Sequence, residues 1–141
     1  MKTLTGLLIA AVLISANVQA DDVSPQPQTM NGVTFVSGGI GDSEIQAMKD
    51  MKKKYNLQLL FADKDTSSYM ADINVKILGK KGATILESVS HGPFFFAQLN
   101  PGKYKIVASH EGQEQSASVV ISGKNAVAKS FYFKARMAPP E

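Results

Sequence analysis

The sequence predicts a single antiparallel β-sandwich of about seven strands, with one helix packed on it. Three observations lead there. Short apolar or alternating runs recur from Val33 to Phe133. Glycine-bearing links separate most of them at hairpin spacing. Only one stretch, Ser43 to Lys54, carries a helical period.

The chain opens with Lys2, an apolar run from Leu4 to Ile14, and small residues leading to Ala20. A basic end, a short apolar segment and a small-residue cut site describe a secretory signal peptide over residues 1–20. The apolar run is shorter than the about 20 residues of a membrane-spanning helix. The expected mature chain starts at Asp21, has no membrane span and is periplasmic or secreted. There is no cysteine, so neither a lipid on a junction cysteine nor a disulfide is expected, and the core alone must carry stability. The net charge of +3 falls by one when Lys2 leaves. Such a weak balance, without basic and aromatic residues interleaved, excludes nucleic acid as a partner.

Residues 21–32, with Pro25 and Pro27, read as a flexible leader. One domain is expected over 33–135, followed by a tail at 136–141. Val33–Val36 is the first strand. The helix of about 43–54 is predicted from Ser43 as N-cap with Gln46 in capping-box position. Acidic residues stand at its start, Lys52–Lys54 at its end, and Ile45, Met48 and Met51 form its apolar stripe. Leu57–Ala62 is apolar enough to be covered on both faces, whereas Ile73, Val75 and Ile77 alternate with polar residues. Further strands are expected at Thr84–Ser90, Phe94–Leu99, Lys103–His110, Gln113–Ile121 and Ala126–Phe133.

Between two of these lies Leu99-Asn100-Pro101-Gly102-Lys103-Tyr104. Pro101 presets φ and Gly102 accepts positive φ, so a type II turn is expected there. This stretch, with Gly82, Gly92-Pro93, Gly112 and the Tyr55-Asn56-Leu57 strand opening, resembles the carboxypeptidase regulatory-like domain, in the form found in small exported bacterial proteins. The resemblance covers roughly Gly41 to Phe133. It implies an Ig-like, transthyretin-like β-sandwich and a non-catalytic role. Leu99, Pro101, Gly102 and Tyr104 are its structural motif, and it transfers no functional residue.

No Gly-x-Ser-x-Gly elbow occurs, and without cysteine or a cofactor motif the protein is not expected to be an enzyme. Gly38-Gly39-Ile40-Gly41 lacks a lysine-plus-hydroxyl signature, and Asp42 and Glu44 would repel an anion. The Asp63-Lys64-Asp65 opening of a calcium loop lacks glycine at its sixth position and glutamate at its twelfth. His91 and His110 follow strands of the same sense. Strand parity therefore sets them, with Asp63 and Asp65, at one pole of the sandwich, opposite Leu99–Tyr104. These four supply the nitrogen and oxygen donors of a possible metal or small-ligand site; the alternative is solvated turn residues that never meet.

Phe94, Phe95 and Phe96 pose a parity problem. If Leu99 and Tyr104 face the core, so do Phe95 and Ala97, and Phe94 and Phe96 point outward. Either the helix stripe covers them, the preferred account, or a partner does. The function expected is a non-enzymatic binding or accessory module without a cofactor. Its partner is another protein or an envelope component, met through the loops of one pole or at an open sheet edge. The alternative is a periplasmic metal- or ligand-binding protein using the His91/His110 pole.

Overall fold

A computed structural model describes residues 24–135. The expected signal peptide, the first residues of the leader and the tail lie outside them. Nine strands form two sheets. The five-stranded sheet has the order β1-β2-β6-β3-β9, with β1 Gln28–Met30, β2 Val33–Gly38, β3 Leu57–Asp63, β6 Phe94–Gln98 and β9 Val127–Phe133. The four-stranded sheet has the order β5-β4-β7-β8, with β4 Ile73–Leu78, β5 Thr84–Ser90, β7 Gly102–His110 and β8 Gln113–Ile121. Alternation fills the space between them. Phe35, Leu59, Phe61 and Phe95 from one sheet meet Val75, Ile77, Leu86 and Ile106 from the other. Within this core Phe35 stacks on Phe95 with ring centres 5.6 Å apart.

The structure departs from the sequence reading at four places. The leader is shorter than 21–32, because Gln28–Met30 pairs with β2. Asn31 and Gly32 form the link with φ of 50° and 77°, the two positive values a type I′ hairpin turn requires. Asn31 then donates its side-chain amide to the carbonyl of Ile85 at 2.8 Å, tying the hairpin to the opposite sheet. Second, the sheets are not wholly antiparallel, since β9 runs parallel to β3 from Leu57↔Val127 to Asp63↔Phe133. The link after β8 passes to the other sheet at the end where β3 begins, so both strands leave in one direction.

Third, the Pro101-Gly102 link does not make a hairpin. Strands β6 and β7 lie in different sheets, and Gly102 already belongs to β7 with a nearly extended φ of 157°. A type II turn would need about +80°. What fixes the corner is Tyr104, whose hydroxyl donates to the carbonyl of Asn100 at 2.6 Å, as in the tyrosine corners of β-sandwiches. Fourth, the capping box is absent. Helix α1 (Asp42–Met51) is capped by Gly41, whose carbonyl accepts from Ile45 N–H at 3.0 Å, so Ser43 lies inside the first turn. Gln46 donates instead to Asp50, and Glu44 accepts from Gly39 N–H. A 3-10 turn, Lys52–Lys54, completes the helical segment.

A second buried cluster lies on the outer face of the five-stranded sheet. Val36, Met48, Tyr55 and Phe96 form it, with Met51 and Phe94 half-buried at its border. Burial pushes the Tyr55 hydroxyl pKa up. Strand β6 therefore has apolar contacts on both faces, Phe95 inward and Phe96 beneath Met48.

Two further contacts lock the ends of the sandwich. Asn56 uses its side-chain amide like a strand backbone, donating to the carbonyl of Leu99 at 2.7 Å and accepting from its N–H at 2.8 Å. Its own carbonyl accepts from Val127 N–H at 2.8 Å. At the other end Gly92 lies against the backbone of Gly38, so close that a Cβ would fall 2.3 Å from the Gly38 carbonyl. Along one flank Gln113 donates to the carbonyl of Lys134 at 2.6 Å, and Gln115 to that of Tyr132. The outer edge of β9 is thereby partly capped by side chains of β8.

Phe96→Ala is expected to lower stability by about 3–5 kcal/mol, the range for emptying a buried phenylalanine site, while the half-buried Phe94→Ala costs less. Urea unfolding followed by circular dichroism measures both, and equal small losses would refute the burial assignment. Gly92→Ala should cost about 3 kcal/mol or more, because backbone rather than a movable side chain blocks the new methyl group; an unchanged midpoint of thermal unfolding would refute the close approach.

Candidate functional site

Strand direction sorts the loops into two poles. One holds the 63–72 loop, the His91–Pro93 link, the Glu111-Gly112 turn and the start of α1. The other holds Asn31-Gly32, the 3-10 turn Lys52–Lys54, the link 79–83, Asn100-Pro101 and Ser122–Ala126.

The histidine pole does not assemble the proposed donor set. Asp63 is buried, and its carboxylate is engaged in loop structure. Oδ1 accepts the N–H groups of Asp65 at 2.7 Å and Thr66 at 2.9 Å, and Oδ2 that of Ala135 at 3.3 Å. These backbone donors, Thr66 and Asp65 foremost, hold its pKa below the usual carboxylate value. They favour the charged form. Asp65 is exposed on the same turn. His110 lies against Phe133 at 6.1 Å between ring centres, with Nε2 4.0 Å from Glu111. His91 follows β5, on the far side of β4 from β7, and its N–H donates to Ser37 at 3.3 Å. Two strand spacings of about 4.8 Å thus separate the chains bearing the two histidines. Among the described residues no three His, Cys, Asp or Glu side chains form a group able to hold a metal ion. The four candidate donors Asp63, Asp65, His91 and His110 are thus not gathered into one group among the described residues: a shared pole is not a shared site.

The opposite pole is chemically more distinctive. Lys52, Lys53 and Lys54 end the helical segment beside Asn56. Lys80 and Lys81 occupy the link between β4 and β5. Lys103 and Lys105 begin β7, and Lys124 sits between β8 and β9. Among the described residues the one carboxylate beside these eight lysines is Asp50, two residues before Lys52 in the last turn of α1. None of the described lysines has a carboxylate oxygen within 4.0 Å. Among the described residues the histidine pole carries Asp42, Glu44, Asp63, Asp65, Asp72, Glu111 and Glu114 against Lys64 and Lys134. Nine-residue β7 spans the two ends, a separation of about 30 Å at strand rise. That is several times the roughly 8 Å Debye length of physiological salt, so each pole presents its own sign to a partner.

Lysines border two depressions at this end. One of about 360 Å³ lies at the foot of the five-stranded sheet between Lys53, Lys54, Asn56, Asn100 and Lys124. The other, an open hollow of about 610 Å³, lies on the outer face of the four-stranded sheet, between Lys80, Lys81, Lys103, Lys105 and the 60 % exposed Val120. In the sequence, Lys52–Lys54 read only as a helix end, and this pole goes to the turn motif alone. The missed signal is a charge count made turn by turn along alternating strands. Small net charge conceals the segregation.

No protein-family model matches the chain, and no curated protein matches it in sequence.

Asp63→Asn is expected to lower the thermal midpoint at neutral pH, because the folded loop favours the carboxylate. The folded-state pKa is the depressed one. The wild-type advantage should therefore be complete above the ordinary aspartate pKa of about 3.9 and fade as pH falls through the lower folded value. Thermal scans of both proteins from acid to neutral pH check this, and a difference independent of pH would refute it.

Proposed function

We propose that the protein is an exported, non-catalytic recognition module that sets its lysine pole against the anionic headgroups of a lipid surface. The carrying observation is the pole itself: among the described residues, eight lysines from both sheets and the helical segment stand against the single carboxylate of Asp50 at the end of α1. A planar partner can meet charges spread around the whole end of a sandwich, whereas a small ligand meets only those of one depression. The type of cation agrees with this reading. The chain has one arginine, Arg136, and among the described residues the cations of the pole are all lysines. Lysine is a hydrated point charge without the bidentate fork that selects individual carboxylates or phosphates.

The acidic far pole favours one orientation, with the histidine end outward. No helix among the described residues is long and apolar enough to cross a membrane, and attachment here is electrostatic and reversible. The resemblance of the Leu99–Tyr104 stretch to carboxypeptidase regulatory-like modules agrees with a role in recognition. The signal-like start supports a periplasmic or secreted location.

Each lysine near an anionic membrane contributes about 1 kcal/mol. The triple change Lys53→Glu, Lys54→Glu and Lys124→Glu is therefore expected to weaken binding by about 100-fold or more. Co-sedimentation with phosphatidylglycerol-containing vesicles should show binding that high salt abolishes, with none to pure phosphatidylcholine. Equal sedimentation with both lipids, or an unimpaired variant, would overturn the proposal.

A further inference from the structure

A groove of about 270 Å³ crosses the outer face of the five-stranded sheet, apart from the depressions of the lysine pole. It exists because the sheet is wider than its helix. Helix α1 packs on β2, and its Met48 shares a buried cluster with Val36 of β2 and Phe96 of β6. Strand β9 extends the sheet beyond β3 on the other side. Leu60, Phe94, Phe96 and Ala128 line the groove, with Tyr69 along one side and Lys49 and Lys52 along the helix side. The frame is held in place. Gln58 donates to the carbonyls of Lys52 and Tyr55 at 3.0 and 3.4 Å, fixing the helical segment to β3. The Tyr69 ring stands edge-on to Phe94 at 5.4 Å.

We infer that this groove binds a small amphipathic anion, a single short acyl chain ending in a carboxylate. Two features select that class. The lining contains apolar and aromatic side chains, so it takes hydrocarbon. It also contains lysines but no aspartate or glutamate, and neither Lys49 nor Lys52 has a carboxylate partner within 4.0 Å. Lys49 and Lys52 are three residues apart on the helical segment, close enough along one flank to meet one headgroup. The volume lies just under the about 300–1,000 Å³ of pockets for drug-sized ligands, which limits the occupant to a short chain.

Titration of isotope-labelled protein with decanoate, decanol and decyltrimethylammonium, followed by amide NMR, tests the assignment. Decanoate should cause saturable shifts centred on Gln58, Leu60, Ala128 and Ser130, and both other probes should bind at least tenfold more weakly. Lys49→Glu should weaken decanoate at least tenfold without moving the thermal midpoint, since Lys49 is exposed. Ser130→Phe, which fills the groove from the exposed edge strand, should abolish the shifts. Absence of saturable shifts, shifts centred on the lysine pole, equal binding of the cationic probe or undiminished binding by Lys49→Glu would each overturn the inference. Lys49 is not one of the eight pole lysines. Vesicle sedimentation of Lys49→Glu therefore stays near wild type whichever way the groove titration falls.

Discussion

The structure depends on how three consecutive phenylalanines are divided between two faces of one strand. Strand β6 is hydrogen-bonded to β2 on one side and β3 on the other, so its ladder groups are paired and its side chains must be accommodated above and below. Phe95 enters the sandwich and stacks on Phe35. Phe96 then has to lie on the opposite face, where water would cost a large apolar surface its burial. The helical segment between β2 and β3 answers that need by laying Met48 on it. Without an outward phenylalanine on this central strand, the helix would have little to bury. Without the helix, the five-stranded sheet would expose its most apolar stripe.

From that division the distribution of charge follows. A helix that begins after β2 and returns to the start of β3 must run from one pole to the other. Its acidic first turn is left at the histidine end and Lys52–Lys54 at the opposite end. Both placements suit the helix dipole. Next to those lysines Asn56 joins β3 to β6 through Leu99 and to β9 through Val127. The lysine pole is consequently seated on strands fixed to one another by hydrogen bonds of one residue. Its charges stand on a stiff base although their side chains are long.

Much of this architecture was legible in local patterns. The strands from Leu57 onward follow the alternation and the glycine links closely, because a half-buried strand declares its inner face in every second residue. Phe95 and Ala97 are placed inward by the same count that places Leu99 there. What escaped were features with no local period. The parallel β3–β9 pair joins segments 70 residues apart in register, and no spacing within either strand announces it. Asn31-Gly32 is a hairpin dipeptide, but it stands beside Pro25 and Pro27, and the three residues of β1 carry no apolar alternation to mark a strand. Ser43 and Gln46 had capping-box spacing, yet Gly41 begins the helix earlier. Asp63, Asp65, His91 and His110 lie at one pole of the sandwich. Donor identity says nothing of the backbone amides that engage Asp63 or of the β4 strand between the two histidines.

The amides of Gln113 and Gln115 on the rim of β9 bear on how the molecule avoids its own kind. A seven-residue edge strand offers unsatisfied carbonyls to any extended chain, including another copy during folding. Here the neighbouring sheet supplies side-chain amides at Tyr132 and Lys134, as a decoy for the next strand. In a chain without cysteine to staple the sandwich, these two amides occupy edge carbonyls that a further strand would need in order to pair.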